Sequence, residues 1–260
     1  MSLEGNLVPE AFATGLRRWM APQVYVIEYL PAIAPDRYRI RVLDMATGEL
    51  SLPVNLRAKA DPVDSEMAAV SRDQVMATGG DLLFTLYRGR HPGEARDYAF
   101  VHVLSTSTRG VWCQVLPHWL ELDEHPGTVA VSADESTLYV ASAVGAVADF
   151  DIGAILDPDR EPVAARVVRT LPTGEAEPAL AVGPSGPVLA QGRAVVWLDD
   201  QLVVTAEVGA SSPVEALATT PDGDAIVVGD GRVEVLSVDG SVASMALPAG
   251  LTTATKLWPG

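Results

Sequence analysis

Four stretches of this chain repeat one pattern: an apolar run, a short polar turn and a second apolar run. They are ATGGDLL, VSADESTL, VGPSGPVL and TTPDGDAI, aligning Gly80, Asp134, Ser185 and Asp222 at spacings of 54, 51 and 37 residues. Asp-Gly and Ser-Gly turns between apolar runs predict β-hairpins. The fullest copy, TVAVSADESTLYVASAVGAVADFD (128–151), reads as strand, turn, strand, Gly-containing turn, strand. A period of about 40–50 residues with four strands per unit points to a β-propeller.

The copies can be followed along the chain. The first has three strands, VYVIEYL (24–30), YRIRVLD (38–44) and LSLPV (50–54). A polar connection, 55–72, follows, and its DSEMAAV segment predicts a helical turn. The second has QVMAT (74–78), LLFTLYR (82–88), YAFVHVLS (98–105) and VWCQVLP (111–117). The third adds the loop DIGAILDPDREP and the strand VAARVVRTL (163–171) to 128–151. The fourth has ALAVG, PVLAQG, AVVWLD and LVVTAEV, and the fifth EALATT, AIVVGDG, RVEVLSV and VASMALP. One strand-like piece, TTATKLWPG, ends the chain.

A two-sheet sandwich would show strands apolar on one side and polar on the other. TLYVAS, ALAVG, AIVV and AVVWL are instead apolar at nearly every position, as strands packed on both faces require. The expected fold is therefore all-β: a five-bladed β-propeller with four antiparallel strands per blade. The three-strand first copy and the lone last strand complete one blade, so residues 252–258 are expected to pair with 24–30 and close the ring. Residues 1–22 form an N-terminal arm and 23–260 a single propeller domain.

Hydrophobic residues make up 48% of the 260 and aromatics only 6%, so the core is built from Val, Leu and Ala. No apolar run approaches the roughly 20 residues of a membrane span, and Met1 to Met20 has no apolar leader core. A chain starting after a removed leader would read the same, so export stays open and the compartment is undetermined. The net charge of −16 argues against nucleic acid, which binds through cations that displace counterions, and against anionic lipid. Cys113 is the single cysteine. It excludes an intrachain disulfide and a cysteine-rich zinc site, and within VWCQVLP it is expected to be a small buried residue.

The motifs VAVSADESTLYVAS, LATTPDGDAIVV and MATGGDLLFTLY resemble the repeat of the YVTN-type and lactonase-like β-propellers, distant relatives of WD-repeat proteins. The likeness covers about 24–258. AVVWLDD (194–200) is similar to the third strand of a WD-repeat, but the Gly-His dipeptide of that group is absent. Some lactonase-like propellers hydrolyse lactones around a central divalent metal, so the resemblance implies a hydrolase as one alternative.

The residues argue against that alternative. Glu215 and Asp73 are the only carboxylates near first-strand starts, and neither Gly-x-Ser-x-Gly nor His-Glu-x-x-His occurs. His118 and His125 flank Glu121, Asp123 and Glu124 in one acidic loop, which reads as a solvated loop. His102, within YAFVHVL, reads as structural. Asp222, Asp224 and Asp230 are explained by turn chemistry and lack EF-hand spacing. No catalytic residue, metal or cofactor is expected.

One local feature runs against the overall charge. The long connections of the first two blades hold Arg57, Lys59, Arg88, Arg90, His91 and Arg96, with Trp119 beyond them. Connections of this kind emerge on one face of a propeller. Together these residues predict a site for an acidic peptide, glycan or small anionic ligand. The alternative is that the cations pair with Asp61, Asp64, Glu66 and Glu94 in the same loops. The expected function is a monomeric, non-enzymatic binding or scaffold propeller. A lactonase-like hydrolase and a sensor ectodomain of a larger exported protein are the other two readings.

Overall fold

β-Branched and aromatic runs bounded by Gly, Asp and Pro become strands here because each run finds an antiparallel neighbour one turn away. The computed structural model describes residues 7–9, 23–50, 67–90, 97–108, 110–157, 166–168, 173 and 176–246. Their contacts divide the chain into two units, Met1–Leu116 and Pro117–Gly260.

The first unit holds two sheets. One runs in the order β1 (Leu7–Pro9), β2 (Gln23–Leu30), β3 (Arg37–Asp44). The other is a meander of β4 (Ala69–Met76), β5 (Leu82–Arg90), β6 (Asp97–Ser105) and β7 (Val111–Val115). Tyr25, Ile27, Tyr38, Ile40 and Val42 of the first sheet pack on Leu83, Tyr87, Phe100, Leu104 and Val111 of the second. The Tyr25 hydroxyl donates to Thr106 O at 2.8 Å across the same junction.

The second unit holds three four-stranded meanders. They are β8 (Gly127–Val131), β9 (Thr137–Ser142), β10 (Ala146–Asp151) and β11 (Arg166–Val168); β12 (Ala179–Gly183), β13 (Gly186–Gln191), β14 (Ala194–Leu198) and β15 (Val204–Gly209); and β16 (Ala216–Thr219), β17 (Ala225–Gly229), β18 (Arg232–Leu236) and β19 (Val242–Ala246). The middle sheet is packed on both faces. Leu189, Val196 and Leu198 meet Tyr139, Ala141 and Val147 on one side. Val188, Val195 and Trp197 meet Leu217, Ala225 and Val227 on the other. That two-sided burial is why β13 and β14 are apolar throughout. The outermost strands, β15 and β19, are largely exposed.

The turns follow from backbone chemistry. In three copies the fourth turn residue donates its N–H to the first: Gly80 to Ala77, Glu135 to Ser132 and Gly223 to Thr220. All three have positive φ, the signature of a type I turn followed by a left-handed residue. Glu135, not Asp134, is thus the equivalent of Gly80, and the sequence alignment of these turns was off by one. The fourth copy is tighter, with Gly183 paired to Gly186 across two residues.

Four other expectations are corrected. First, the edge of β2 assigned to 252–258 is occupied over Val24–Val26 by β1, with Leu7 opposite Val26 and Pro9 opposite Val24. The nearby N-terminal segment fills that edge, so the predicted closure does not hold there; 247–260 lie outside the described residues. Of the expected third strand of that copy, Leu50 makes a bridge to Leu43 and 51–54 lie outside the description. Second, the helical turn over DSEMAAV is overturned from Met67 onward. Met67 bridges to Tyr38 and Ala69 starts β4, where a bulge between Ser71 and Asp73 offsets the alternation. Third, the loop after β10 begins with a short helix, α1 (Ile152–Leu156), whose N-cap Asp151 accepts from Ala154 N. Fourth, Cys113 is exposed, because β7 is the edge strand of its sheet and its outer residues lose cover.

Candidate functional site

The expected cationic set is only partly within the described residues. Arg57, Lys59, His91 and Arg96 lie outside them. Arg88 and Arg90 both fall within β5. Arg88 is engaged: its Nε donates to Asp97 Oδ2 at 2.9 Å and its Nη2 lies 2.8 Å from the same oxygen. Asp97 is on β6 and was not among the loop carboxylates weighed from sequence. Arg90 pairs with Asp97 in backbone register. Trp119 belongs to the second unit, in a 3₁₀ turn at His118–Leu120.

A further cationic row was legible in RYRIRVLD but read only as a strand. β3 alternates so that Tyr38, Ile40 and Val42 enter the core while Arg37, Arg39 and Arg41 share the opposite face. Glu28 sits opposite Arg39 in register and accepts from its Nε at 2.6 Å. Arg41 Nη1 lies 3.8 Å from the same oxygen and Nη2 donates to Leu50 O at 3.2 Å. Asp36 receives Arg37 at 3.1 Å. The Arg39 hydrogen bond holds the Glu28 carboxyl below its usual range, against a smaller opposing effect of burial and with help from the Arg39 and Arg41 charges.

Charge is distributed unevenly between the units. Met1–Leu116 contains twelve of the 18 Lys and Arg and thirteen of the 34 Asp and Glu, a near balance. Pro117–Gly260 contains the other six and twenty-one, and so carries nearly all of the net −16.

The first unit also buries a cluster of rings. Tyr38 stacks on Tyr87 with centroids 4.1 Å apart and 7° between planes, and His102 meets Tyr38 edge-on at 5.5 Å. His102 is 3% exposed, in keeping with a structural histidine. It lies opposite Thr85 on β5 and opposite Cys113 on β7. The Tyr38 hydroxyl is buried without a hydrogen-bond partner. Burial first, and then the charges of Cys113, Tyr98 and Tyr29, drive its proton affinity well above the ordinary tyrosine value. The Tyr87 hydroxyl lies beside those of Tyr29 and Thr85 without reaching standard geometry.

In the second unit the ionisable groups serve turns and junctions. Asp134 caps its own turn through Ser132 and Ser136, which hold its carboxyl below the usual range. Glu234, 4% exposed, accepts from the Ser211 backbone N at 2.9 Å and from the Ser211 hydroxyl. Those two bonds, the hydroxyl first, lower its pKa. His125 lies 3.8 Å from Glu121. Asp73 sits within β4 and Glu215 precedes β16, in different units. Among the described residues no three His, Cys, Asp or Glu are placed to hold a metal ion.

No family model matches the chain, and no curated protein matches it. Among solved structures it is similar to one titled "Structure of Dos1 propeller", at 12% identity and a TM-score of 0.54. The likeness covers 87% of this chain and 50% of that one, so the chain spans about half the length of the structure it matches. With the meander sheets and their two-sided burial, this shows a β-propeller fold. At that identity it carries the fold alone. No helix among the described residues is long and apolar enough to cross a membrane.

Proposed function

We propose that this protein is a binding or scaffold propeller of the YVTN type, whose five sheets are five blades. Its first unit takes an acidic peptide, glycan or small anionic ligand. The observation that carries this reading is the charge division: an anion is repelled by the second unit and meets near-neutral charge with clustered arginines in the first. Arg57, Arg88, Arg90, His91 and Arg96 form the proposed contact set, and the Arg37, Arg39, Arg41 row adds positive potential. Arg88, already bound to Asp97, contributes potential more than a free fork. Trp119, in the other unit, is left out.

The test is titration calorimetry of the full chain with a short polyglutamate peptide. Binding is expected at low salt and should weaken as the screening length falls from about 30 Å at 0.01 M to about 10 Å at 0.1 M. Arg90→Glu should weaken it at least several-fold, and Arg232→Glu, in the second unit, should leave it unchanged. Absence of binding at low salt, or equal losses in the two variants, would overturn the proposal.

A further inference from the structure

We propose that Cys113 is a peroxide-reactive thiol, served by the buried hydroxyl of Tyr38 and the imidazole of His102. Three placements support this. Cys113 is exposed, so a small molecule can reach its sulfur. His102 is directly across the β6–β7 ladder from it, where side chains of one face stand about 4.5–5.5 Å apart at Cβ. Tyr38, 1% exposed, sets its ring edge-on to His102 and ends in a buried hydroxyl with no partner, and the charge of Cys113 acts on that hydroxyl. A buried O–H without an acceptor calls for an explanation, and a group that binds only when the thiol has reacted supplies one.

A nucleophile, a proton acceptor and an O–H donor are thereby brought to one place, with Tyr29 and Tyr98 near the Tyr38 hydroxyl. That set suits a small neutral electrophile whose leaving atom needs a proton, which is the chemistry of a hydroperoxide. The thiol proton passes to the His102 imidazole. The thiolate attacks the terminal peroxide oxygen, an S–O bond forms and the O–O bond breaks. The leaving alkoxide takes the proton back from the imidazolium. Thiol and hydroperoxide become sulfenic acid and alcohol: the sulfur is oxidised and the peroxide reduced. The Tyr38 hydroxyl then donates to the sulfenic oxygen, the first step of the thiol oxidation ladder.

The full chain would be treated with hydrogen peroxide and a 1,3-dione trap, and the adduct rate followed by intact mass against N-acetylcysteine at the same pH. Cys113 should react at least tenfold faster than the free thiol. Tyr38→Phe, which keeps the stacked ring, should slow peroxide capture several-fold while leaving iodoacetamide alkylation and melting temperature close to wild type. His102→Gln should slow both reactions. A rate equal to that of N-acetylcysteine overturns the proposal whether or not the variants fold, and so does a Tyr38→Phe rate equal to wild type.

Discussion

Two tryptophans make opposite predictions for the same substitution. Trp197 on β14 is 5% exposed and its indole Nε1 donates to Gly223 O at 2.9 Å, tying one sheet to the turn of the next. Trp112 on β7 buries its Nε1 without a partner. Changing either to Phe removes roughly the same apolar area, about 1 kcal/mol. Trp197→Phe also removes a hydrogen bond and leaves the Gly223 carbonyl without that donor, a further ~1–2 kcal/mol. Trp112→Phe removes an unsatisfied group, which offsets its apolar loss. The expected costs are about 2–3 kcal/mol for Trp197→Phe and under ~1 kcal/mol for Trp112→Phe. At about 2–4 °C per kcal/mol for chains of 150–250 residues, Trp197→Phe should melt several degrees below Trp112→Phe. Urea unfolding read by circular dichroism gives the free energies directly. Equal shifts, or a larger loss at Trp112, would refute the role given to the Trp197 bond.

Three further expectations follow from particular contacts. Glu234 titrates below its ordinary value near 4.5 because Ser211 binds its charged form, so its contribution is present above that value and lost as pH falls through the depressed one; Glu234→Gln should cost about 1–2 kcal/mol at pH 7, and its gap to wild type in urea titrations should close below about pH 4.5. Gly186 has φ +133° and a Cβ there would stand 2.3 Å from Leu198 O, whereas at Gly192, φ +58°, nothing lies within 4 Å. Gly192→Ala should therefore cost about 1–2 kcal/mol and Gly186→Ala clearly more, and thermal melts showing the reverse order would contradict the turn geometry. Deleting residues 1–10 removes β1 and bares the edge at Val24–Val26; faster amide exchange across β2 is expected, and unchanged exchange there would show that β1 does not guard it.

Much of the strand pattern could be read from residues because it is local. LLFTLYR was expected at 82–88 and β5 spans Leu82–Arg90; AVVWL is β14 itself. Both lie between turn residues and are apolar on both faces. What escaped was set by distant or very short features. LVP is too short to show a period and contains proline, so β1 was invisible. The Arg72 bulge displaced the pattern that should have marked the start of β4. Cys113 lies in the mostly apolar stretch VWCQVLP, but its exposure depends on what covers an edge strand, which no local window contains. Its pairing with His102 depends on strand register, and the approach of Tyr38 to His102 on packing between sheets. The Arg37, Arg39, Arg41 alternation was fully visible, and its period of two was used only to predict a strand.

The proposed site is tested most directly by hydrogen–deuterium exchange of the full chain with and without polyglutamate at low salt. Protection confined to peptides of the first unit, centred on β5 and the residues that follow it, is predicted. Protection in peptides from 117–246, or none anywhere at saturating peptide, would contradict an anion site in the first unit.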